Sequence, residues 1–442
     1  MSDLSVNFMG LKLKNPLLLA PGMYNTAVGF LPKFVDRIAE TGWAGVVTKP
    51  LQTLDFGWGW YSYPQLFSAE GTTPTEKKMR EAMFLVNGGP GFEFIADNKK
   101  KEVKSWQRGN LITKEEIKRN IKQAHDRGLT IIGCLEPTGP DNAAELAATY
   151  EECGFDGIDF NPSCPMISDF GGGTWAIGIH PEKVEEITRS IKSHCQLPVI
   201  VKLSPHLSDF GVMARAAARG GADAVSGINT YLSIIGIDVE TGYPLSRPAS
   251  GGPGVPMGLS GPPILPMGLE CVWEISRSVS CDICGIGGVY DWKSTVQYIM
   301  LGATAVQICT SVMFNGLGVG TEIVKGLTEF MEGKGYRSIE DFKGIAVSRV
   351  MPFGKQLMIS SRPSVSQIDK NQCVGCGRCV TACGDNAGQC IELVDYKGNK
   401  RAEVAEKDCT GCGLCACVCP VPQCITFKTI PLAEFRMANE RA

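Results

Sequence analysis

Two stretches near the end of the chain carry its clearest chemistry. Residues 373–383 read CVGCGRCVTAC and residues 409–420 read CTGCGLCACVCP. Each spaces its cysteines C-x2-C-x2-C-x3-C. Thiolates two residues apart on a tight turn can grip one iron–sulfur cube, and the fourth cysteine then reaches across to a second cube. The expected ligand sets are Cys373, Cys376 and Cys379 with Cys419, and Cys409, Cys412 and Cys415 with Cys383. Zinc is the alternative, but the doubled spacing and Pro420 fit a pair of 4Fe–4S clusters better. Gly375, Gly377, Gly411 and Gly413 would let the backbone pass close to sulfide. Eleven of the 19 cysteines fall between Cys373 and Cys424. Of these, Cys390, Cys417 and Cys424 lie outside the pattern and read as packing residues.

A second group of reactive types is scattered over the first three quarters of the chain. Cys164 stands in GIDFNPSCPMISDFGGG, just past an apolar run and before a glycine-rich loop that could close over a substrate. A thiol with an unperturbed pKa of about 8.5 can give or take a proton, which is what hydride transfer to or from a C=C bond requires of a neighbour. The other reading is an inert buried cysteine. Lys49 and Lys202 close two further apolar runs. A lysine in such a place needs an anion or a cofactor, or else a carboxylate to pair with. The stretch GIGG at 285–288 offers bare amides at Gly287 and Gly288, and Thr310 and Ser311 follow a later run. Together they could hold a phosphate, although GIGG could also be only a tight turn. These groups suggest a bound flavin, with Ala20 and Thr48 as further contacts, the two lysines at its pyrimidine edge and Cys164 above it. The pair Cys281 and Cys284 reads as buried strand.

Such residues need a scaffold that gathers strand ends at one face. Eight short apolar runs recur: NPLLLAP, WAGVVTK, LTIIGCL, GIDFNPS, PVIVKLS, DAVSGIN, CDICGIGG and TAVQICT. Several are continuous rather than alternating, which suits strands covered on both faces. Segments with helical periodicity separate them, with Asn142, Ser208 and Asp291 as N-cap or first-turn candidates. The expected fold is a TIM-type (β/α)8 barrel over residues 1–334, followed by a linker at 335–368 and a small α+β ferredoxin-like domain at 369–442. A doubly wound open sheet is the alternative. In a barrel the chemistry lies at the C-terminal strand ends, where the polar residues named above fall. Insertions at 50–128 and 231–262 interrupt the pattern and suggest functional loops.

Composition narrows the setting. The 442 residues carry a formal net charge of −3 and are 44% hydrophobic. Nothing there draws the chain to nucleic acid. No apolar run reaches the ~18 residues of a membrane span, and MSDLSVNFMGLKLKNP does not read as a signal peptide. A cytoplasmic protein with reduced cysteines is expected.

At this point the motifs resemble a known family. NPSCP, with VKLSP at 201–205, INT at 228–230 and GIGG at 285–288, resembles the FMN barrel of dihydroorotate and dihydropyrimidine dehydrogenases. A two-cluster tail directly after such a barrel resembles the C-terminal half of dihydropyrimidine dehydrogenase, which in bacteria is a separate subunit. The resemblance implies FMN, two 4Fe–4S clusters, an NAD(P)H/FAD flavoprotein or ferredoxin-type donor as partner, and an oligomer. It implies reduction of the C5=C6 bond of uracil or thymine, with Cys164 as proton donor. Asn87, Asn161, Asn229 and Thr230 match residues that hold the substrate ring. The family's Asn-x-Glu in the early loop is replaced by NGGPG, leaving a glutamate contact missing unless Glu93 supplies it, and Met166 stands where the orotate enzymes tend to have asparagine. The tRNA dihydrouridine synthases share the barrel but fit worse, having neither NPSCP nor the tail. The aromatic stretch LDFGWGWYSYP could be an interface or a lid. Reduction of another cyclic enone or aromatic ring, or electron transfer without a substrate, are the alternative functions.

Overall fold

The computed structural model describes residues 2–22, 26, 28–29, 31–53, 65–68, 83–87, 93–95, 110–162, 175–234, 236–245, 256–352 and 364–430. The chain divides into two compact units, 1–349 and 350–442. All eight expected runs of the first unit are strands: β1 (Leu17–Leu19), β2 (Gly45–Val47), β3 (Thr130–Leu135), β4 (Gly157–Phe160), β5 (Val199–Lys202), β6 (Ala224–Gly227), β7 (Asp282–Ile286) and β8 (Ala305–Ile308). They pair in parallel in chain order and close into a barrel, with Val306 opposite Leu17 where β8 meets β1. That closure replaces the open-sheet alternative. Helices cover the outside, so every residue of β1, β2, β4, β5, β6 and β8 is buried.

Two of the covering helices do more than pack. They are α1 (Pro140–Cys153), after β3, and α2 (Trp292–Met300), after β7. Each sends a fully buried tyrosine back onto the strand before it. The Tyr150 hydroxyl donates to Cys134 O at 2.5 Å and accepts from Leu51 N at 3.0 Å. The Tyr298 hydroxyl donates to Gly287 O at 2.6 Å. Each ring lies over a glycine, Gly133 in β3 and Gly285 in β7, where a Cβ would run into it. Asp291 caps α2 as expected, its carboxylate accepting from Ser294 N at 2.9 Å. The cap of the helix Phe210–Arg219 falls on Asp209, one residue later than expected.

The two insertions share a four-stranded sheet, and the first also forms a separate parallel sheet of Leu51–Thr53, Glu93–Ile95 and Asn110–Ile112. The order of the four is Tyr231–Ser233, Met257–Ser260, Met83–Asn87, Gln65–Ser68, all antiparallel, with Gly258 opposite Asn87. His206, in the turn after β5, ties this sheet to the barrel by accepting from Leu232 N at 3.1 Å. Burial pushes the His206 pKa down, which keeps the ring in the neutral form that can accept. The stretch 56–63 lies outside the described residues.

The segment expected as a linker is divided between the units. Ile339 and Phe342 are buried in the first unit's core. Ser364–Ile368 is the first strand of the second unit, β9, and pairs antiparallel with β12 (Ile425–Thr429). Between them lies the hairpin of β10 (Ile391–Tyr396) and β11 (Asn399–Val404). These strands and the short helices Arg378–Asn386 and Leu414–Cys417 frame the cysteines. Among the described residues no helix is long and apolar enough to cross a membrane.

The tyrosine contacts give the first prediction. Gly133→Ala should destabilise the protein by about 1–3 kcal/mol, the usual cost of overpacking, read as a lower denaturant midpoint. Gly139→Ala, where a Cβ meets nothing within 4 Å, should leave the midpoint unchanged.

Candidate active site and cluster sites

Across the barrel interior runs a buried charge pair. Lys202 Nζ, ending β5, donates to Asp159 Oδ2 on β4 at 2.8 Å, with side chains 3% and 0% exposed. Gln307 Nε2 reaches the same oxygen from β8, on the far side of the barrel, at 3.1 Å. Burial alone would push the Lys202 ammonium down, but the Asp159 carboxylate more than offsets it, and the pKa is raised. Lys202 is therefore an ion-paired cation rather than a lone one, and its ammonium keeps further hydrogens beyond the one given to Asp159. Lys49 differs. It is half-buried just past β2, and among the described residues no carboxylate pairs with its ammonium.

Four buried polar atoms have no partner among the described residues: Thr48 Oγ1, Asp159 Oδ1, Ser226 Oγ and Gln307 Oε1. Thr48 follows β2; the others lie on β4, β6 and β8. Barrel interiors fill with side chains from alternate strands, and these four polar groups come from alternate strands or their ends. Unpartnered buried polar atoms are costly, so these groups call for a polar guest. A flavin's pyrimidine edge, with its carbonyls and ring N–H, suits them.

The turn expected to hold a phosphate is one that requires glycine. Gly287 and Gly288 have φ of 112° and 72°. A Cβ on Gly288 would strike the Leu265 backbone. Tyr298 holds the Gly287 carbonyl toward α2. Ser311 bonds its hydroxyl to Tyr290 O at 2.8 Å, joining the turn to the start of the short helix Thr310–Asn315. Here expectation and structure part: the hydroxyl hydrogen of Ser311 is already used, and Thr310 Oγ1 lies 3.0 Å from Ser260 Oγ. Backbone amides, more than hydroxyls, are what the turn offers an anion. Ala20 is buried past β1, its N–H bonded to Ile308 O at 2.9 Å.

Three of the four expected ring-holding residues come together. Asn161 follows β4, and Asn229 and Thr230 follow β6. Asn229 Nδ2 donates to Asn161 Oδ1 at 3.0 Å, and Thr230 N donates to Asn229 Oδ1 at 2.8 Å. The fourth, Asn87, is placed by its backbone: it pairs with Gly258, and Gly258 packs on Thr230. The Asn87 side chain and Cys164 lie outside the described residues. So does the side chain of Glu93. Sequence reasoning missed Glu136, directly after β3, whose Oε1 accepts from Asn161 Nδ2 at 2.5 Å. It also missed Asp159 and Gln307. The signal was there: GIDF, TAVQI and TIIGCLE each set a charged or amide group in a run otherwise fit for burial, and such a group needs a partner. The barrel's other thiols read as inert. Burial pushes Cys134 and Cys284 up, and Cys309 to about 11.

In the second unit the two expected ligand sets are each gathered round their own cavity. Cys373, Cys376, Cys379 and Cys419 line one; Cys383, Cys409, Cys412 and Cys415 line the other. Backbone N–H groups point at the sulfurs: Gly375 and Ala402 at Cys373 (3.4 and 3.5 Å), Ser366 at Cys409 (3.4 Å), Cys390 at Cys383 (3.3 Å). Such donors stabilise thiolates, the form that binds iron. The two turns match: Gly375 and Gly411 have φ of 70° and 69°. A Cβ on either would strike a neighbouring strand's carbonyl, Lys400 O or Ser364 O. The close approach these glycines permit is thus to a strand. Cys390 and Cys424 are buried beside the cavities, whereas Cys417 is exposed and not a packing residue.

Comparison with known proteins agrees with this arrangement. Residues 3–331 match the dihydroorotate dehydrogenase family model. The chain belongs to the dihydroorotate dehydrogenase family. It is an oxidoreductase of the CH–CH class. Residues 366–427 match a 4Fe-4S dicluster domain. The chain is 28% identical to the NAD-dependent dihydropyrimidine dehydrogenase subunit PreA of Escherichia coli, over 88% of this chain and 87% of that protein. It is 32% identical to the catalytic subunit of dihydroorotate dehydrogenase B (NAD(+)) of Thermoplasma volcanium, over 79% of this chain and all of that one. The crystal structure of an Eimeria tenella DHODH in complex with ferulenol shares the fold, with a TM-score of 0.55 and 18% identity over 78% of this chain and 88% of that one.

Two predictions follow from these contacts. Lys202→Met strands a buried carboxylate and should cost about 3–5 kcal/mol in chemical denaturation. Adding Asp159→Leu should recover most of it. Replacing any one of the eight motif cysteines by alanine should remove about four iron atoms per chain, whereas Cys417→Ala should remove none; iron analysis after anaerobic purification decides.

Proposed function

We propose that this chain is the catalytic subunit of an iron–sulfur flavoprotein that reduces the C5=C6 bond of a pyrimidine, uracil or thymine, to the dihydropyrimidine. When bound, FMN supplies the hydride, and the two 4Fe–4S clusters supply its electrons from an NAD(P)H-oxidising partner subunit. The observation that carries the reading is the row of amides at the barrel's C-terminal face, Asn161 to Asn229 to Thr230. Such a row recognises a ring through alternating carbonyls and N–H groups, which is what a pyrimidine presents.

The roles of the chain's own residues follow. Lys49, Lys202, Thr48 and Ala20 would bind the isoalloxazine, and the Gly287–Gly288 turn with the backbone of Thr310 and Ser311 its phosphate. Asn87, Asn161, Asn229 and Thr230 would orient the substrate ring. Cys164 would hand a proton to C5 as hydride arrives at C6, and burial around the site would keep water from competing. The names of the relatives support both the ring class and the subunit partner: one is a dihydropyrimidine dehydrogenase subunit, the other a catalytic subunit of an NAD(+)-dependent enzyme. An electron carrier without substrate would have no use for two side-chain amides in hydrogen-bond contact at the barrel mouth.

Cys164 is the sharpest test. In single turnovers of dithionite-reduced protein with uracil, Cys164→Ala should be slower by ~10²–10⁴-fold, the usual worth of a general acid, with flavin content unchanged. Turnover near the native rate would remove Cys164 from the mechanism.

A further inference from the structure

The cluster unit contains its own internal comparison, because β9 and β11 stand in the same relation to their two cavities. Gly411 packs on Ser364 O in β9 as Gly375 packs on Lys400 O in β11. Two residues further along each strand, Ser366 N donates to Cys409 Sγ at 3.4 Å and Ala402 N to Cys373 Sγ at 3.5 Å. The strand partners match as well. Ser366 faces Phe427 in β12, two residues past Ile425, and Ala402 faces Leu393 in β10, two residues past Ile391. Both are buried, at 2% and 1% exposure.

The match breaks at the side chain. Ser366 carries a hydroxyl where Ala402 carries only a methyl group. That hydroxyl lies 3.2 Å from Cys415 Sγ and 3.9 Å from Cys409 Sγ, and it has no other partner among the described residues. A thiolate that binds iron carries no hydrogen, so the hydroxyl must be the donor. Among the described residues, no serine or threonine lines the cavity of Cys373, Cys376, Cys379 and Cys419. Thr410 lines the second cavity too, but it is exposed, where water competes for its hydroxyl. Adding one electron to a cluster puts more negative charge on its sulfurs and moves no proton. A donor held at such a sulfur favours the reduced state. Burial keeps water from making the same bond once the hydroxyl is gone.

We propose that Ser366 raises the reduction potential of the cluster held by Cys383, Cys409, Cys412 and Cys415, through a hydroxyl hydrogen bond that the other cluster lacks. The proposal rests on the two-cluster reading above and deepens it: electrons arriving at the pair are drawn toward one of its members.

The test is a redox titration of the full-length protein, purified anaerobically, with cluster reduction followed by electron paramagnetic resonance and iron counted alongside. Ser366→Ala keeps the backbone N–H to Cys409. It should lower the potential of one cluster by about three- to tenfold in the reduction equilibrium, ~30–60 mV for one electron, and leave the other in place. Ala402→Ser installs a hydroxyl at the matching position and should raise the potential of the other cluster. Thr410→Val should move neither. Iron should stay at about eight atoms per chain in every variant, as two four-iron clusters require. Unshifted potentials in Ser366→Ala, loss of iron from that variant, or shifts of both variants on the same cluster would overturn the proposal. Native protein with about four iron atoms per chain, or none, would instead defeat the two-cluster reading, and this proposal with it.

Discussion

The barrel is organised round a buried ion pair. Asp159 and Lys202 sit on neighbouring strands and meet at 2.8 Å inside a parallel sheet. Neither could be buried alone, because an isolated charge in the interior is far more costly than a paired one. The pair therefore ties β4 and β5 to a single register: a slip of one residue would swing one charge to the outer face. Gln307 extends the constraint across the barrel to β8. Among the described residues, what remains for a guest is a set of buried polar atoms and the half-buried ammonium of Lys49, a setting for a group with several carbonyls and N–H groups.

The strand ends are held by a second device, used twice. Tyr150 and Tyr298 each come from the helix after a strand, lie over a glycine in that strand, and bond to a carbonyl at its end. One fixes the place where Glu136 emerges, the other the turn at Gly287 and Gly288. Precision at the mouth thus comes from rigid elements behind it. The cluster unit works similarly. Two matching turns are packed so tightly on adjacent strands that only glycine fits, and backbone N–H groups then meet the sulfurs at similar distances.

Much of this was legible in the sequence, for physical reasons. Strands buried on both faces must be apolar throughout, so NPLLLAP or PVIVKLS declares itself. Cysteine spacing is nearly sufficient, since four thiols must reach one cube from a tight turn. Partners were harder to see. Lys202 stood out as a lysine in an apolar run, but Asp159 lies 43 positions earlier, and only the barrel's closure brings them together. Glu136 was not singled out at all, and nothing local says that its carboxylate faces Asn161. The end of the first unit was hard to place because residues 335–349 look polar and turn-rich, although Ile339 and Phe342 are buried and Tyr336 and Ile345 pack against the core.

The sheet formed by the two insertions carries one more implication. Gly258 faces Asn87 across a ladder whose strands lie about 170 residues apart in the chain. Neither half is a module by itself. A recombination that took one insertion from a relative and left the other behind would break the ladder and displace Asn87 from Thr230. Diversification of this pocket must therefore proceed by joint inheritance of both segments, which makes the barrel's front a single evolutionary unit assembled from two distant pieces of gene.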